Sequence, residues 1–410
     1  MSETQKHTKP NVPNLRFPGF EGEWKQYTMG EITELFSRRN KNRIDFPMFS
    51  VTNARGFVDQ QEQFEDREMK GEDIAAYKIV SPGDFAYNPA RINVGSIARY
   101  NGKTDCMISS LYVCFKANKE LVDSQLLLHI LKSPKMVYNY GINGEGGVRI
   151  YLFYPNFARI RVKLPSLEEQ HKIASLLDLI EERIHIQNKV IERLKSLIKG
   201  INNRLMDNPL WDKIYLGNFM QFYSTNSLSW EQLSYENGSM RNLHYGLIHI
   251  GLPTMTDCRD NTLPYIQSPF IPKQFTICKD GDIAFADASE DTEEVGKAIE
   301  LYNTGSMDIV CGLHTIHGRD VTGITVVGFK GFAFNSKFFH EQLRRLAQGS
   351  KVYSITVENI KNCYIYIPKV TEQRKIVSLM LCLQEKIKCA ERELDIYEIQ
   401  KQFMLREMLV

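Results

Sequence analysis

One segment of this chain occurs twice. Residues 165–177 read PSLEEQHKIASLL, and residues 368–380, which lie 203 positions later, read PKVTEQRKIVSLM. Further matches precede each copy in the same order. YKIVSPGDFAYN (77–88) matches FTICKDGDIAFA (275–286), and GEGGVRIYLFYPNF (144–157) matches AQGSKVYSITVENI (347–360). This order indicates a tandem duplication, in which each copy is a globular part followed by a helix.

Each repeated segment predicts the start of a long helix with an apolar seam. Ser166 and Glu169 have the spacing of a capping box, and apolar residues then recur at intervals of four and three, the heptad pattern of a coiled coil. One such stripe alone is also typical of a core helix. Two stripes in the same register favour pairing, and the connectivity makes the pair antiparallel. The predicted seam residues are Ile173, Leu177, Ile180, Ile184, Ile191, Leu194 and Ile198 in the first helix, and Ile376, Met380, Leu383, Ile387 and Leu394 in the second.

These patterns predict an α+β fold. Two similar mixed α/β domains are joined by two long helices, which form an antiparallel coiled coil with pseudo-two-fold symmetry. Lys401 falls in the second seam and is expected to weaken pairing near the end of that helix. The predicted boundaries are a flexible leader at 1–22, a first domain at 23–164, a first helix at 165–205, a second domain at 206–367 and a second helix at 368–410.

Composition narrows the class of protein. Hydrophobic residues make up 43% of the 410 residues and charged residues 24%, which is ordinary for a soluble globular protein. The net charge of +2 neither requires nor excludes a nucleic-acid partner. The eight cysteines form no C-x-x-C pair and lie mostly in apolar runs, as free thiols in a reducing compartment do. Without a stretch of about 18 apolar residues we expect no membrane span and a cytoplasmic protein.

The sequence contains fragments of catalytic and metal-binding motifs, but none is complete. AYNPAR (86–91) holds only part of the motif with which adenine methyltransferases grip their target base. Cys311, His314 and His317 have ligand-like spacing, but the first copy has no matching ligands, so we expect strand residues and no metal site. The acidic run at 290–294 is expected to be a solvated loop and not a nuclease site. We therefore predict no catalytic residues.

Polar loops that differ between the two copies are the candidate DNA contacts. FSRRNKNR (36–43) interleaves Arg and Lys, which neutralise phosphates, with Asn, which can read adenine. A solvated turn is the alternative interpretation of this run. In the second copy, FYSTNS (222–227) replaces it, and DASEDTEEVGK (287–297) replaces NPARINVG. The candidate DNA-binding residues are Arg38, Arg39, Asn40, Lys41, Asn42, Arg43, Arg91, Asn93, Arg149, Ser224, Thr225, Asn226, Lys297 and Lys351.

With these features, the chain resembles the specificity (S) subunit of type I restriction–modification systems. The resemblance rests on LPSLEEQHKIASLLDLIEERI and IPKVTEQRKIVSLMLCLQEKI, each closing one module, and on a GD-[IF]-A-[FY] strand in both modules. It implies that the two globular domains are target recognition domains, each reading one half of a split target in double-stranded DNA. It also implies that the helices set the gap between the halves and dock two modification (adenine methyltransferase) subunits.

The same resemblance implies a chain without catalysis of its own. Restriction (endonuclease/translocase) subunits would join the complex, and S-adenosylmethionine, ATP and Mg²⁺ would be bound by the partner subunits. The alternatives are an enzyme with its own methyltransferase or nuclease activity and a purely structural coiled-coil adaptor. The enzyme would need a catalytic domain for which the predicted organisation leaves no room.

Overall fold

The structure is a computed structural model that describes residues 11–60, 74–146, 150–260, 262–291, 294–349 and 351–409. The chain forms two compact units. The first comprises Met1–Gln187 and Glu393–Val410, and the second comprises Asn188–Arg392. Both units combine helices with sheets, which confirms the predicted α+β fold. Among the described residues, no helix is long and apolar enough to cross a membrane.

The first unit is built on a four-stranded antiparallel sheet. Its strands are β1 (Lys25–Thr28), β2 (Thr33–Phe36), β3 (Phe49–Thr52), β4 (Gly56–Asp59), β5 (Lys78–Val80), β6 (Phe85–Tyr87), β7 (Ile97–Arg99), β8 (Cys106–Ile108), β9 (Val113–Ala117) and β10 (Arg161–Leu164). Its helices are α1 (Met29–Ile32), α2 (Ser124–Lys132), α3 (Pro134–Asn143), α4 (Tyr154–Ala158) and the first part of α5 (Leu167–Met206). The main sheet has the order β2-β9-β6-β7, while β1 pairs with β10, β3 with β4 and β5 with β8.

One face of the main sheet carries the apolar side chains that form the core of the first unit. Phe85 and Tyr87 in β6 point to the same face, because successive side chains of a strand alternate between faces. The rings of Phe85 and Phe115 stack with their centroids 5.1 Å apart. These residues pack with Leu126 of α2 and Phe157 of α4, all fully buried. Each such side chain stabilises the fold by about 1.5–3 kcal/mol.

The second unit repeats this plan and adds a second sheet. Its strands are β11 (Asp212–Tyr215), β12 (Met220–Tyr223), β13 (Leu233–Ser234), β14 (Met240–Leu243), β15 (Met255–Asp257), β16 (Tyr265–Ile266), β17 (Ile283–Ala286), β18 (Ala288–Ser289), β19 (Ala298–Tyr302), β20 (Asp308–Cys311), β21 (Thr315–Asp320), β22 (Tyr353–Ser354) and β23 (Tyr364–Ile367). Its helices are α6 (Tyr245–Ile250), α7 (Phe329–Phe334), α8 (Lys337–Leu346), α9 (Val357–Lys361) and most of α10 (Val370–Met408). The sheet β12-β21-β17-β19-β15 repeats the order of the first unit with one more strand, and β13-β16-β14-β20 forms the added sheet.

The two repeated glutamines make the same contacts in both units. Gln170 is buried at the start of α5, where its amide nitrogen donates to the carbonyl oxygens of Leu121 and Pro165. Its amide oxygen accepts from the backbone N–H of Asp123. These bonds fasten the helix to the loop after β9 and to the end of β10.

Gln373 repeats that pattern at the start of α10. Its amide nitrogen donates to the carbonyl oxygens of Ile324 and Pro368, and its oxygen accepts from the backbone N–H of Val326. Gln373 is fully buried, and Gln170 is only 1% exposed. The repeated Glu-Gln pair in the sequence therefore marks the attachment of each long helix to its own sheet.

The two long helices pair in an antiparallel sense. In the first unit, Lys401 of α10 contacts Glu181 of α5, and Gln187 of α5 contacts Glu393 of α10. Residue numbers therefore rise along α5 where they fall along α10. In the second unit, Lys195 of α5 contacts Glu391 of α10. All twelve predicted seam residues are buried or half-buried. From residue 185 to residue 200, every residue of α5 apart from the predicted seam residues and half-buried Gln187 is exposed.

Lys401 has a charged partner in the seam. Its ammonium lies 2.6 Å from the carboxylate of Glu181, which also faces buried His129. A buried charge without a partner destabilises pairing far more than one that is paired. The Glu181–Lys401 pair forms a polar layer in the helix pair of the first unit.

Part of the predicted flexible leader is docked. Residues 1–10 lie outside the described residues. Arg16 binds the buried carboxylate of Glu169 with two hydrogen bonds of 2.8 Å, and the backbone N–H of Leu15 donates to Glu407. The expectation of flexibility is therefore wrong for residues 11–22, because a buried carboxylate requires a cation and the leader supplies it.

Candidate nucleic-acid interface

The candidate loops of the first unit leave one edge of the main sheet. β2 and β6 both run antiparallel to β9, and their last residues, Phe36 and Tyr87, lie opposite Cys114 and Val113. The segments after them therefore leave the sheet at the same edge. Gln170 and α5 attach beyond the other end of β9, at the loop near Leu121. The first edge, which carries residues 37–46 and 88–95, is called the distal edge of the first unit.

Asn40 is placed at this edge but is not available to DNA. Its side chain is fully buried. Its amide nitrogen donates to the carbonyl oxygen of Ile44 at 2.7 Å, and its amide oxygen accepts from the N–H of Ile44 at 3.0 Å. The prediction of a DNA contact by Asn40 is thus wrong, because the amide closes the turn that displays its neighbours.

The neighbours of Asn40 are exposed. Arg38 forms an ion pair with Asp105, which fixes the direction of its side chain. Arg43 has a φ of 52°, a left-handed conformation that is unfavourable for a residue other than glycine. Such conformations cluster at functional sites. The exposed candidates in this turn are Arg38, Arg39, Lys41, Asn42 and Arg43.

Two further candidates of the first unit, Arg91 and Asn93, lie at the same edge. Arg91 is exposed, and Asn93 is half-buried in the 3₁₀ turn Ile92–Val94. The backbone N–H of Leu152 donates to the carbonyl oxygen of Pro89, which joins the ends of the two loops. Arg149 belongs to the second of these loops but lies outside the described residues.

The distal edge of the second unit is built in the same way. β12 and β17 run antiparallel to β21, and their last residues, Tyr223 and Ala286, lie opposite His317 and Thr315. The segments that follow Tyr223 and Ala286 therefore leave the sheet at one edge. Gln373 attaches α10 beyond the other end of β21. The chain thus presents the same edge twice, with different loops.

Asn226 is also a structural residue. Its amide nitrogen donates to the side-chain oxygen of Asn242 at 2.7 Å and to the carbonyl oxygen of Cys311 at 3.0 Å, and its oxygen accepts from the N–H of Leu228. The structure argues against the predicted DNA contact by Asn226, because its amide nitrogen and oxygen already bond within the fold. Thr225 is half-buried and donates to the carbonyl oxygen of Thr315.

The other three candidates of the second unit differ in how exposed their side chains are. Ser224 and Lys351 are exposed. Lys297 is half-buried, and its ammonium lies 2.9 Å from the carboxylate of Glu294. Lys297 therefore neutralises part of the negative charge of the acidic loop that follows β17.

An aromatic and histidine cluster at this edge was missed by sequence reasoning. The rings of Trp230 and His244 lie 4.5 Å apart, and Tyr245 lies 5.1 Å from His314 and 5.8 Å from His249. The segment HYGLIHI (244–250) carries His244, Tyr245 and His249 in or next to one short helix. No spacing rule marks this segment as a binding site in the sequence. Aromatic faces stack on bases, and imidazoles can donate to them.

The cluster is held against the acidic loop. Nδ1 of His314 lies 3.1 Å from Asp287, and Nε2 of His249 lies 3.0 Å from the carbonyl oxygen of Ala288. Burial, and then the nearby charge of His314, lower the pKa of His244, so that its Nδ1 can accept the N–H of Gly246. His314 has a φ of 54°, the strained conformation seen also at Arg43.

Each unit also exposes apolar residues on its helix pair, away from the seam. In the first unit these are Leu179, Ile186, Ile396, Ile399 and Phe403. In the second unit they are Val190, Leu197 and Leu379, with the exposed Cys382 and Cys389 beside them. The apolar side chains in these two sets are between 39% and 69% exposed. They form a second apolar stripe on each helix, typical of a contact surface.

Two groups of side chains in the described parts of the chain could hold a metal ion. One contains His129, Asp178 and Glu181, but Glu181 is already paired with Lys401. The other contains Cys278, Cys311 and His317. The ligand-like spacing in the sequence, for which no metal site was expected, included His314; that residue instead contacts Asp287, and Cys278 takes its place.

Comparison with known proteins agrees with this architecture. The family model described as "Type I restriction modification DNA specificity domain" matches residues 21–196. Residues 21–196 are therefore similar to type I restriction–modification DNA specificity domains.

Relatives extend the similarity to most of the chain. A putative type I restriction enzyme MjaX specificity subunit from Methanocaldococcus jannaschii is 25% identical over 201 residues, 46% of this chain and 47% of that protein. The type I restriction enzyme MjaVIII specificity subunit of the same organism is 21% identical over 355 residues, 81% of this chain and 79% of that protein. The match thus spans about half the length of the first relative and most of the second.

A solved structure shares the fold of the whole chain. It is the type I restriction–modification S subunit from M. genitalium, with a TM-score of 0.56 and 14% identity. The superposition covers 97% of this chain and 99% of that one. At this identity, the similarity concerns the fold alone.

Proposed function

We propose that this chain is the DNA sequence-recognition subunit of a type I restriction–modification complex, in which each unit reads one half of a bipartite target. The observation that supports the proposal is one framework used twice with different chemistry at its distal edge. Arg39, Lys41 and Arg43 stand at the first edge. His314 and Tyr245 stand at the second, beside an acidic loop. Two readers of different half-sites require this combination.

The proposed mechanism is positional. In the first unit, Lys neutralises phosphates and fixes the orientation of the duplex, while Arg also reads guanine edges. In the second unit, imidazole and aromatic side chains contact bases, and Asp or Glu of the acidic loop can accept from cytosine amino groups. The paired helices set the gap between the two half-sites. The partner subunits would flip an adenine in each half out of the duplex and methylate it.

The exposed apolar residues support docking of two modification subunits. Each unit has its own set on its own helix pair, which fits one modification subunit per unit. Restriction subunits would join this core. The chain would catalyse no reaction and bind none of the cofactors of methylation or cleavage, while S-adenosylmethionine, ATP and Mg²⁺ would belong to the partners. Saturable binding of S-adenosylmethionine by the isolated chain would instead support an enzyme.

DNA binding by the complex of this chain with modification subunits tests the half-site assignment. The target is first identified by methylome sequencing of cells that express the complex. Replacing Arg39, Lys41 and Arg43 by Ala should weaken binding and lower the slope of log K against log salt by about 2 to 3. Lys119→Ala is the charge control, because this exposed residue lies beyond the opposite end of β9.

Binding to DNA altered in one half-site or the other distinguishes sequence recognition from non-specific binding to phosphates. The triple variant should lose discrimination against changes in one half-site and keep it against changes in the other. Equal loss for both halves would reduce the basic turn to a non-specific phosphate contact. Docking is tested separately with Ile399→Glu, which should weaken assembly with the modification subunit, whereas exposed Gln402→Glu should not.

A further inference from the structure

Two thiols and an imidazole meet in the interior of the second unit. The Sγ atoms of Cys278 and Cys311 are 3.6 Å apart. The ligand atoms of Cys278, Cys311 and His317 all lie within 4.8 Å of one another, and each residue is at most 3% exposed. Cys311 ends β20 of the added sheet, whereas His317 lies in β21 of the main sheet. The trio therefore bridges two sheets.

The spacing of the sulfur atoms fits one ion between them. Zinc binds thiolate sulfur at about 2.3 Å with tetrahedral angles, which places two sulfurs about 3.8 Å apart. The observed separation is 3.6 Å. Two thiolates and one imidazole form a ligand set that zinc uses with a solvent molecule in the fourth position. Thiolate ligands also select against Mg²⁺ and Ca²⁺, which prefer oxygen.

His317 already has the outer contact of a metal-binding histidine. Its Nε2 lies 2.8 Å from Oδ2 of Asp282. Asp282 is fixed in turn by two hydrogen bonds from Arg319 and one from the N–H of Lys279. A carboxylate in this place holds a proton on Nε2 and leaves the lone pair on Nδ1 for a metal.

The framework shared by the two units does not require this trio. The sequence repeat aligns Cys278 with Val80 of the first unit. His317 lies opposite Ala284, and Cys114 lies opposite the matching Ala86, so Cys114 takes the place of His317. The first unit closes the same layer with apolar side chains around Val80 and Cys114. The donor set is therefore particular to the second unit.

We propose that Cys278, Cys311 and His317 bind one zinc ion, which links the two sheets of the second unit. The ion would have a structural role, because it would join Cys311 of the added sheet to His317 of the main sheet. It would hold β20, and with it the neighbouring loop that carries His314, against the main sheet. This inference does not depend on the proposed function.

Cobalt(II) titration of the full-length chain tests the site. The chain is fully reduced, and all eight cysteines are counted as thiols before the metal is added. A thiolate-to-cobalt charge-transfer band should appear at one equivalent and disappear when zinc is added. Zinc should also raise the melting temperature of the chain.

Two valine variants separate the site from general thiol binding. Cys278→Val installs the residue of the first unit, so the fold should tolerate it, and the band and the zinc-dependent rise in melting temperature should be lost. Cys363→Val removes another buried thiol of the same unit and should change neither. The proposal is overturned by a reduced chain that shows no charge-transfer band, or by a Cys278→Val variant that retains it.

Discussion

The glutamine contacts that attach each long helix to its sheet give a quantitative prediction. Gln170→Leu keeps the size of the side chain but removes three hydrogen bonds, to Leu121, Pro165 and Asp123. A buried backbone group left without a partner costs about 1–3 kcal/mol. Local relaxation recovers part of this cost, so the free energy of unfolding of the first unit should fall by about 3–6 kcal/mol. Such a loss is a large share of the 5–15 kcal/mol that is usual for a domain.

Urea unfolding of the full chain, followed by circular dichroism, measures this loss. Gln373→Leu removes the three corresponding bonds in the second unit and should lower the stability of that unit by a similar amount. Gln402→Leu makes the same chemical change on an exposed face of α10 and should stay within about 0.5 kcal/mol of the unmodified chain. A loss below about 1 kcal/mol for Gln170→Leu would refute the reasoning, because it would mean that the three backbone groups do not depend on the side chain.

Three further predictions concern the helix pair and the second edge. Inserting one heptad beside Gln187 and another beside Glu393 keeps the seam in register and adds about 10 Å of helix. Methylome sequencing should then show a gap about three base pairs longer with unchanged half-sites, at about 3.4 Å per base pair; an unchanged gap would contradict the spacing role. Burial would raise the pKa of Glu181, but the hydrogen bond and charge of Lys401 outweigh it and lower that pKa below its ordinary value of 4.5. The pair therefore stabilises the first unit above about pH 4.5 and loses this contribution as the pH falls through the lowered pKa, and Glu181→Gln should remove that part of the acid dependence of the melting temperature. Asn226→Ala should lower the free energy of unfolding by about 1–3 kcal/mol, and with it the melting temperature, and leave the recognised DNA sequence unchanged; a changed sequence would identify Asn226 as a DNA contact after all.

Much of the fold was predictable because local patterns and the duplication agree. The heptad spacing from Ile173 and from Ile376 marks both helices, since a seam of this period has no other way to be buried. The GD-[IF]-A-[FY] segments mark β6 and β17, which occupy matching places in the two main sheets. The repeated order of segments then predicts two units of the same plan.

The candidate sites were less predictable, because the role of a polar residue depends on what surrounds it. Arg39 and Asn40 are neighbours in the same basic run, yet one is exposed and the other is fully buried and closes the turn. Asn226 likewise proved to join two strands of the fold. A polar side chain satisfies its hydrogen bonds wherever partners are nearest, and the sequence does not state which partners are near.

By itself, the sequence determined the two helices, their seams and the repeated framework, because these follow from periodic burial and from local hydrogen bonds. Only the tertiary structure decided the contacts between distant residues. It brought Arg16 to Glu169, Lys401 to Glu181, and Cys278 to Cys311. Buried charges and thiols find partners through space and without a fixed sequence spacing. The framework can therefore be read from the chain, while the chemistry at each edge depends on how the chain folds.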